Sequence, residues 1–106
     1  MRRGTTPRFR FTLPFDIKSN VSDLRVTFEQ NGVTVLEKRL EDCTCEGDTL
    51  LVWLTQEETL GFKAGTSVKV QLKALENDGN VISHEPKSIS CKEILNEDIL
   101  SGEGGI

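Results

Sequence analysis

Three cysteines and one histidine are the residues of this 106-residue chain best suited to reactive or metal chemistry. Cys43, Cys45, Cys91 and His84 would together supply a Cys3His set, the donor types of a tetrahedral structural zinc site. Their spacing argues against it. A single residue separates Cys43 from Cys45, whereas paired zinc ligands usually stand about two to four residues apart. In an extended segment that spacing puts both thiols on one face, in poor geometry for a mutual disulfide. Cys91 lies far along the chain and could pair with either. An odd cysteine count without an apolar leader points to free thiols in a reducing compartment. We therefore expect these cysteines to serve as small apolar side chains and the chain to hold no metal. His84 would need a nucleophile or an orienting carboxylate beside it to act as a base. Its neighbour Glu85 points to the opposite face of a strand, so a surface histidine beside Pro86 is expected. Glu41, Asp42, Glu46 and Asp48 surround Gly47 but lack the order of a calcium loop, and read as a solvated acidic turn. Gly102, Gly104 and Gly105 read as part of a tail rather than a strand-to-helix turn, so no phosphate-cradling loop is expected. The expectation is a protein without catalysis, cofactor or small-molecule substrate.

Residues suited to contact are more prominent. Trp53 is the only tryptophan, in the apolar run Leu50-Leu51-Val52-Trp53-Leu54. Two registers are open. The commoner arrangement for a tryptophan on a central strand buries Trp53. The other turns Leu50, Val52 and Leu54 inward and leaves Leu51 and Trp53 outside as an apolar contact pair. One tryptophan and no tyrosine make a poor sugar-binding face. Arg2, Arg3, Arg8 and Arg10 form a basic N-terminal arm, which reads either as a frayed terminus or as a docking arm across a neighbour. Nucleic acid is not expected as a partner: the net charge is −4, and Phe9 and Phe11 are better used as core. No apolar run approaches the roughly 20 residues that span a bilayer, so membrane insertion is not expected either. Charge is uneven along the chain. The first 25 residues hold six basic and two acidic side chains, while residues 76–106 hold seven acidic and two basic. Such an asymmetry solvates opposite faces, or orients identical subunits head to tail.

The elements that must carry these residues show a period of two. Phe9, Phe11, Leu13 and Phe15 fall on alternate positions and share one strand face, with Arg8, Arg10 and Thr12 on the other. Pro14 has no N–H to donate and marks an edge strand or a strand end. Leu24 to Glu29 alternates and runs into Asn31-Gly32, a type I′ hairpin signal. In the return from Val33 to Leu40 the apolar parity changes, which predicts a bulge or burial on both sides. A short strand is expected around Cys43 to Cys45 and another over Leu50 to Leu54. Thr55 and Glu58 fit a capping box that starts one helical turn, with Leu60 and Phe62 closing one end of the core. Val68 to Ala74 is the cleanest alternation, and Asp78-Gly79 a second hairpin turn. Val81 to His84 and Lys87 to Lys92 complete the sheet. Glu93 to Leu100 reads as a last strand or a helical turn, and residues 101–106 as a flexible tail. About seven or eight short strands with at most one short helical turn predict an all-β, immunoglobulin-like antiparallel β-sandwich over residues 1–100, with a barrel as the other fold.

Several of these stretches also carry a family resemblance. The opening Thr5-Thr6-Pro7 strand, Val21-Ser22-Asp23-Leu24, the turn from Thr55 to Thr59, Ala64-Gly65, the Asp78-Gly79 hairpin and the closing apolar strand follow one another in a familiar order. In that order the chain resembles the N-terminal β-sandwich domain of phage baseplate upper proteins and related prophage virion modules, over roughly residues 6–100. The resemblance implies a non-catalytic structural module of a tail or baseplate. Such a module docks to other particle subunits and is found in the virion or the bacterial host cytoplasm, with homo-oligomerisation possible. Leu51, Trp53 and the arm Arg2, Arg3, Arg8 and Arg10 are the interface residues expected. The alternative reading is an immunoglobulin-like module of a bacterial surface or adhesin-type protein.

Overall fold

The computed structural model describes residues 1–84 and 86–91. Eight strands run in the order β1 (Arg8–Thr12), β2 (Val21–Gln30), β3 (Val33–Arg39), β4 (Thr44–Glu46), β5 (Thr49–Trp53), β6 (Val68–Glu76), β7 (Val81–Ser83) and β8 (Lys87–Ile89). Two short α-helices interrupt them, α1 (Ile17–Asn20) and α2 (Gln56–Leu60), with a 3-10 turn at Leu40–Asp42. The strands form two antiparallel sheets. One has the order β1-β5-β4; the other has the order β3-β2-β6-β7, with β8 also on β6. The sheets lie face to face in a sandwich-like arrangement. Phe11, Leu13, Leu50, Val52 and Leu54 from the first meet Leu24, Val26, Phe28, Val68, Val70, Leu72 and Ala74 from the second in one core. Phe28 sits at its centre, edge-on to Phe9 at 5.4 Å and to Phe62 at 6.1 Å, a favourable quadrupole arrangement.

The period-two pattern is obeyed strand by strand, and its irregularities have local causes. Along β6 the even-numbered Val68, Val70, Leu72 and Ala74 are buried while Lys69 and Lys73 face water. The β2–β3 hairpin turns at Asn31 and Gly32, both at positive φ (53° and 78°), as a type I′ turn requires. The parity change in β3 is a bulge. Phe28 pairs with Leu36 and Glu29 with Thr34, so Val35 is the extra residue. Across the bulge, Leu36 returns to the side of Phe28 and is half-buried, while Val33 and Val35 stay exposed. A second bulge lies on β2, where Val21 pairs with Glu76 and Asp23 with Leu75. The extra residue, Ser22, lets both Val21 and Leu24 point inward.

One expectation needs correcting. The helical content exceeds a single turn, because Asp16 caps an additional one. Its carboxylate accepts from the Ser19 amide at 3.1 Å, and the turn delivers the fully buried Ile17 to the core. Four residues are too few for a 3.6-residue period to show in the sequence. The closing strands complete the sheet along one side of β6. β7 pairs with residues 73–75 of β6 and β8 with residues 68–70, so they are two halves of one edge strand broken near Pro86, which cannot donate to a ladder. The expected segment Glu93 to Leu100 and the tail 101–106 lie outside the described residues.

Candidate docking face

The site begins with the register of β5, the central strand of the smaller sheet. Leu50, Val52 and Leu54 are buried, so Leu51 and Trp53 point outward. The burial of Trp53 that its central position suggests does not occur: the indole is 48% exposed. Period two decides this, because burying Trp53 would expel three aliphatic side chains that now fill the core.

On the neighbouring strand the same logic turns Phe9 and Phe11 inward and Arg8, Arg10 and Thr12 outward. Register then brings them together. Arg8 pairs with Trp53, Arg10 with Leu51 and Thr12 with Thr49; on the other side of β5, Thr44 pairs with Leu51 and Glu46 with Thr49. The Arg8 guanidinium lies 4.3 Å from the centroid of the Trp53 ring, a cation–π contact. Neither Arg8 nor Arg10 has an acidic partner among the described residues. A shallow groove of about 430 Å³ continues the face past Trp53, lined by Thr6, Leu54, Thr55, Gln56 and Glu57. The face thus combines an outward apolar pair with arginines, hydroxyls and the acids Glu46 and Glu57 at its margin.

The other two arginines are placed elsewhere. The N-terminal arm is tied down rather than frayed. The Met1 ammonium donates to the Ser90 carbonyl, Arg3 donates to the Leu60 carbonyl at 3.1 Å, and the Thr59 hydroxyl donates to the Thr5 carbonyl at 2.9 Å. Arg3 therefore packs the arm against the end of α2 and Arg2 lies exposed on that arm, while Arg8 stands opposite Trp53 and Arg10 opposite Leu51.

The reactive residues do not assemble. Among the described residues no three metal-type side chains cluster. Cys43, Cys45 and Cys91 are free thiols. Burial, then the neighbouring Cys45 and Asp42, push the Cys43 thiol up to about 11, and burial raises Cys45 as well. At pH ~8 such a group is about one part in a thousand thiolate. Cys43 should therefore react with iodoacetamide about a hundredfold more slowly in the folded protein than in urea. Equal rates, read by mass spectrometry, would contradict the burial. His84 is not a plain surface histidine. It is half-buried and rests edge-on against Phe11 at 6.1 Å.

Two polar features were not evident in the sequence. Lys38 stands on the inward side of edge strand β3, opposite buried Val26, and its ammonium meets Glu58 at 2.7 Å. Glu58 also closes the α2 capping box, accepting from the Thr55 amide at 2.8 Å while the Thr55 hydroxyl accepts from the Glu58 amide. Burial pushes the Glu58 carboxyl up, but the Lys38 and Thr55 hydrogen bonds outweigh it and hold it below the ordinary carboxylate range. With its folded value lowered, Glu58 stabilises the fold at neutral pH and loses that contribution as acid protonates it. Glu58→Gln should cost about 1–2 kcal/mol near neutrality, and the gap to wild type in urea unfolding should close toward pH ~3. A gap independent of pH would remove the ion pair from this explanation. The second feature is Gln30, buried at the end of β2 against the backbone of Lys63.

Comparison of the chain with known protein families, with curated proteins and with solved structures finds no match in any of the three.

Proposed function

We propose that this chain is a non-catalytic docking module that binds another protein through the outer face of its smaller sheet. The observation that carries this reading is the outward pair Leu51 and Trp53 bordered by Arg8 and Arg10, which have no acidic partner among the described residues. A half-exposed tryptophan beside arginine is the composition typical of binding hot spots.

The strand order supports an immunoglobulin-like topology for the module. The sheets β1-β5-β4 and β3-β2-β6-β7 correspond to strands B-E-D and C′-C-F-G of that fold, with no counterpart of strand A among the described residues. The fold's usual internal markers are replaced: the strand-C position holds Val26 and Phe28, and no disulfide joins the sheets. Combined with the resemblance to baseplate upper proteins, this favours a structural subunit of a phage or prophage particle, whose partners are neighbouring tail or virion proteins.

The test is co-expression with the products of the genes flanking its own, followed by size exclusion with light scattering. A stoichiometric complex is expected. Leu51→Asp and Trp53→Asp should each abolish it while leaving the melting temperature within a few degrees, since both side chains point outward. A complex that forms equally well with both variants would dismiss this face.

A further inference from the structure

The four sheet edges of the fold are not equally protected. Unpaired edges invite another strand, and proteins blunt them with bulges, breaks, inward charges or covering elements. β3 carries the Val35 bulge and the inward-facing Lys38. The edge formed by β7 and β8 is broken near Pro86. β4 is only three residues long, and α1 closes on its end through the Ile17 amide, which donates to the Gly47 carbonyl at 2.9 Å. β1 has no bulge, break, inward charge or covering element among the described residues, and Pro7 and Pro14 bound it without entering its five residues. It pairs with β5 without a register shift from Arg8 to Thr12.

The hydrogen bonds show which of its backbone groups are free. The Leu54 amide donates to the Pro7 carbonyl and the Leu13 amide to the Asp48 carbonyl. The odd-numbered residues of β1 therefore face β5, and the N–H and C=O groups of Arg8, Arg10 and Thr12 point away from it. No partner for them occurs among the described residues.

We infer that the β1 edge accepts an added strand from another protein, an extended segment in which acidic side chains alternate with apolar ones. The proposal deepens the docking function above and rests on it. Register supplies the chemistry. Outward side chains of an added strand would stand directly opposite Arg8 and Arg10, which lack acidic partners, so carboxylates are favoured there. Alternate side chains would point inward beside Phe9, which is only partly buried. The added strand would also widen the face that bears Leu51 and Trp53. A second copy of this chain is the weaker occupant. Antiparallel pairing of two β1 edges in full overlap sets Arg10 against Arg10 on the same face. Addition of a strand in this way is a known mode of peptide recognition, with backbone bonds giving affinity and alternate side chains giving selectivity.

Amide exchange followed by NMR tests this. In the free protein the Phe9, Phe11 and Leu13 amides should be protected and those of Arg8, Arg10 and Thr12 should exchange freely. A nine-residue peptide of alternating Glu and Val, at millimolar concentration, should protect the second set. Its Lys–Val counterpart should bind about tenfold more weakly. Arg10→Pro removes an outward N–H that the ladder does not use; it should fold and lose peptide binding, whereas Arg10→Gln should retain most of it. If the proline variant fails to fold, Arg8→Glu combined with Arg10→Glu should invert the preference toward the Lys–Val peptide. Protection of the outward amides without peptide would show the edge already covered and overturn the proposal. So would protection confined to another edge, no binding at all, or undiminished binding by Arg10→Pro. Should the flanking-gene complex require Trp53 yet tolerate Arg10→Pro, strand addition falls and the docking face stands.

Discussion

Val70→Asp should leave the protein unfolded at 25 °C, while Lys69→Asp should melt within a few degrees of wild type. The two positions are adjacent on β6 but on opposite faces: Val70 is 4% exposed within the core, and Lys69 faces water. An aspartate at position 70 would be buried among Phe28, Leu72 and other apolar side chains of the core, while Lys87, opposite it on edge strand β8, stays exposed to water rather than packed on that core. Burying an unpaired carboxylate costs several kcal/mol, about as much as the whole stability of a domain this size. At position 69 the new aspartate would instead stand opposite Glu29, a like-charge cross-strand pair that costs at most about 1 kcal/mol. Circular dichroism melts of the two variants decide the matter. Equal melting temperatures would mean that the strand register is wrong.

The second large effect is expected from Gln30→Leu, at about 2–4 kcal/mol of destabilisation. Gln30 is 5% exposed at the end of β2 and acts as a clamp on the loop between α2 and β6. Its amide nitrogen donates to the Lys63 carbonyl at 2.8 Å and to the Thr66 carbonyl at 3.3 Å, and its amide oxygen accepts from the Lys63 backbone N–H at 2.8 Å. A leucine has nearly the same size but leaves these loop groups without partners, and unmet buried polar groups are the expensive kind. Urea unfolding measures the loss. Gln30→Glu should be intermediate, because a carboxylate still accepts from Lys63 but cannot donate to the carbonyls. If leucine is tolerated without loss, the clamp contributes nothing.

Gln30 also shows where sequence reasoning ended. The alternation of β2 and β6 was legible because each inward side chain is apolar and contributes to a period of two. At position 30 the same inward slot holds a polar residue, which by its type alone reads as surface. Its partners are backbone groups of a loop 33 residues away, and no local pattern encodes them. Lys38 was hidden for a related reason: a lysine looks solvated until its tertiary partner Glu58 is placed beside it. Helix α1 escaped because its only signals are Asp16 as a cap and Ile17 as a core residue. The face around Trp53 was half legible. Leu51, Trp53, Arg8 and Arg10 stood out by type, but alternation alone left two registers open for β5. The packing of Leu50, Val52 and Leu54 into one core selects between them. Arg2 and Arg3 shared the arm in sequence yet diverge in space, since the chain bends before β1 to run along α2.

The central claim is that the Leu51–Trp53 face is where another protein binds. Trp53 is the only tryptophan, so its fluorescence reports on that face alone, provided the bound protein is produced with its own tryptophans replaced by phenylalanine. In the isolated chain, acrylamide should quench it readily and its emission should be that of a partly hydrated indole. In the complex formed with a flanking gene product, quenching should fall several-fold and the emission should shift to the blue. Unchanged quenching and emission in a stoichiometric complex would place the interface elsewhere and contradict the assignment.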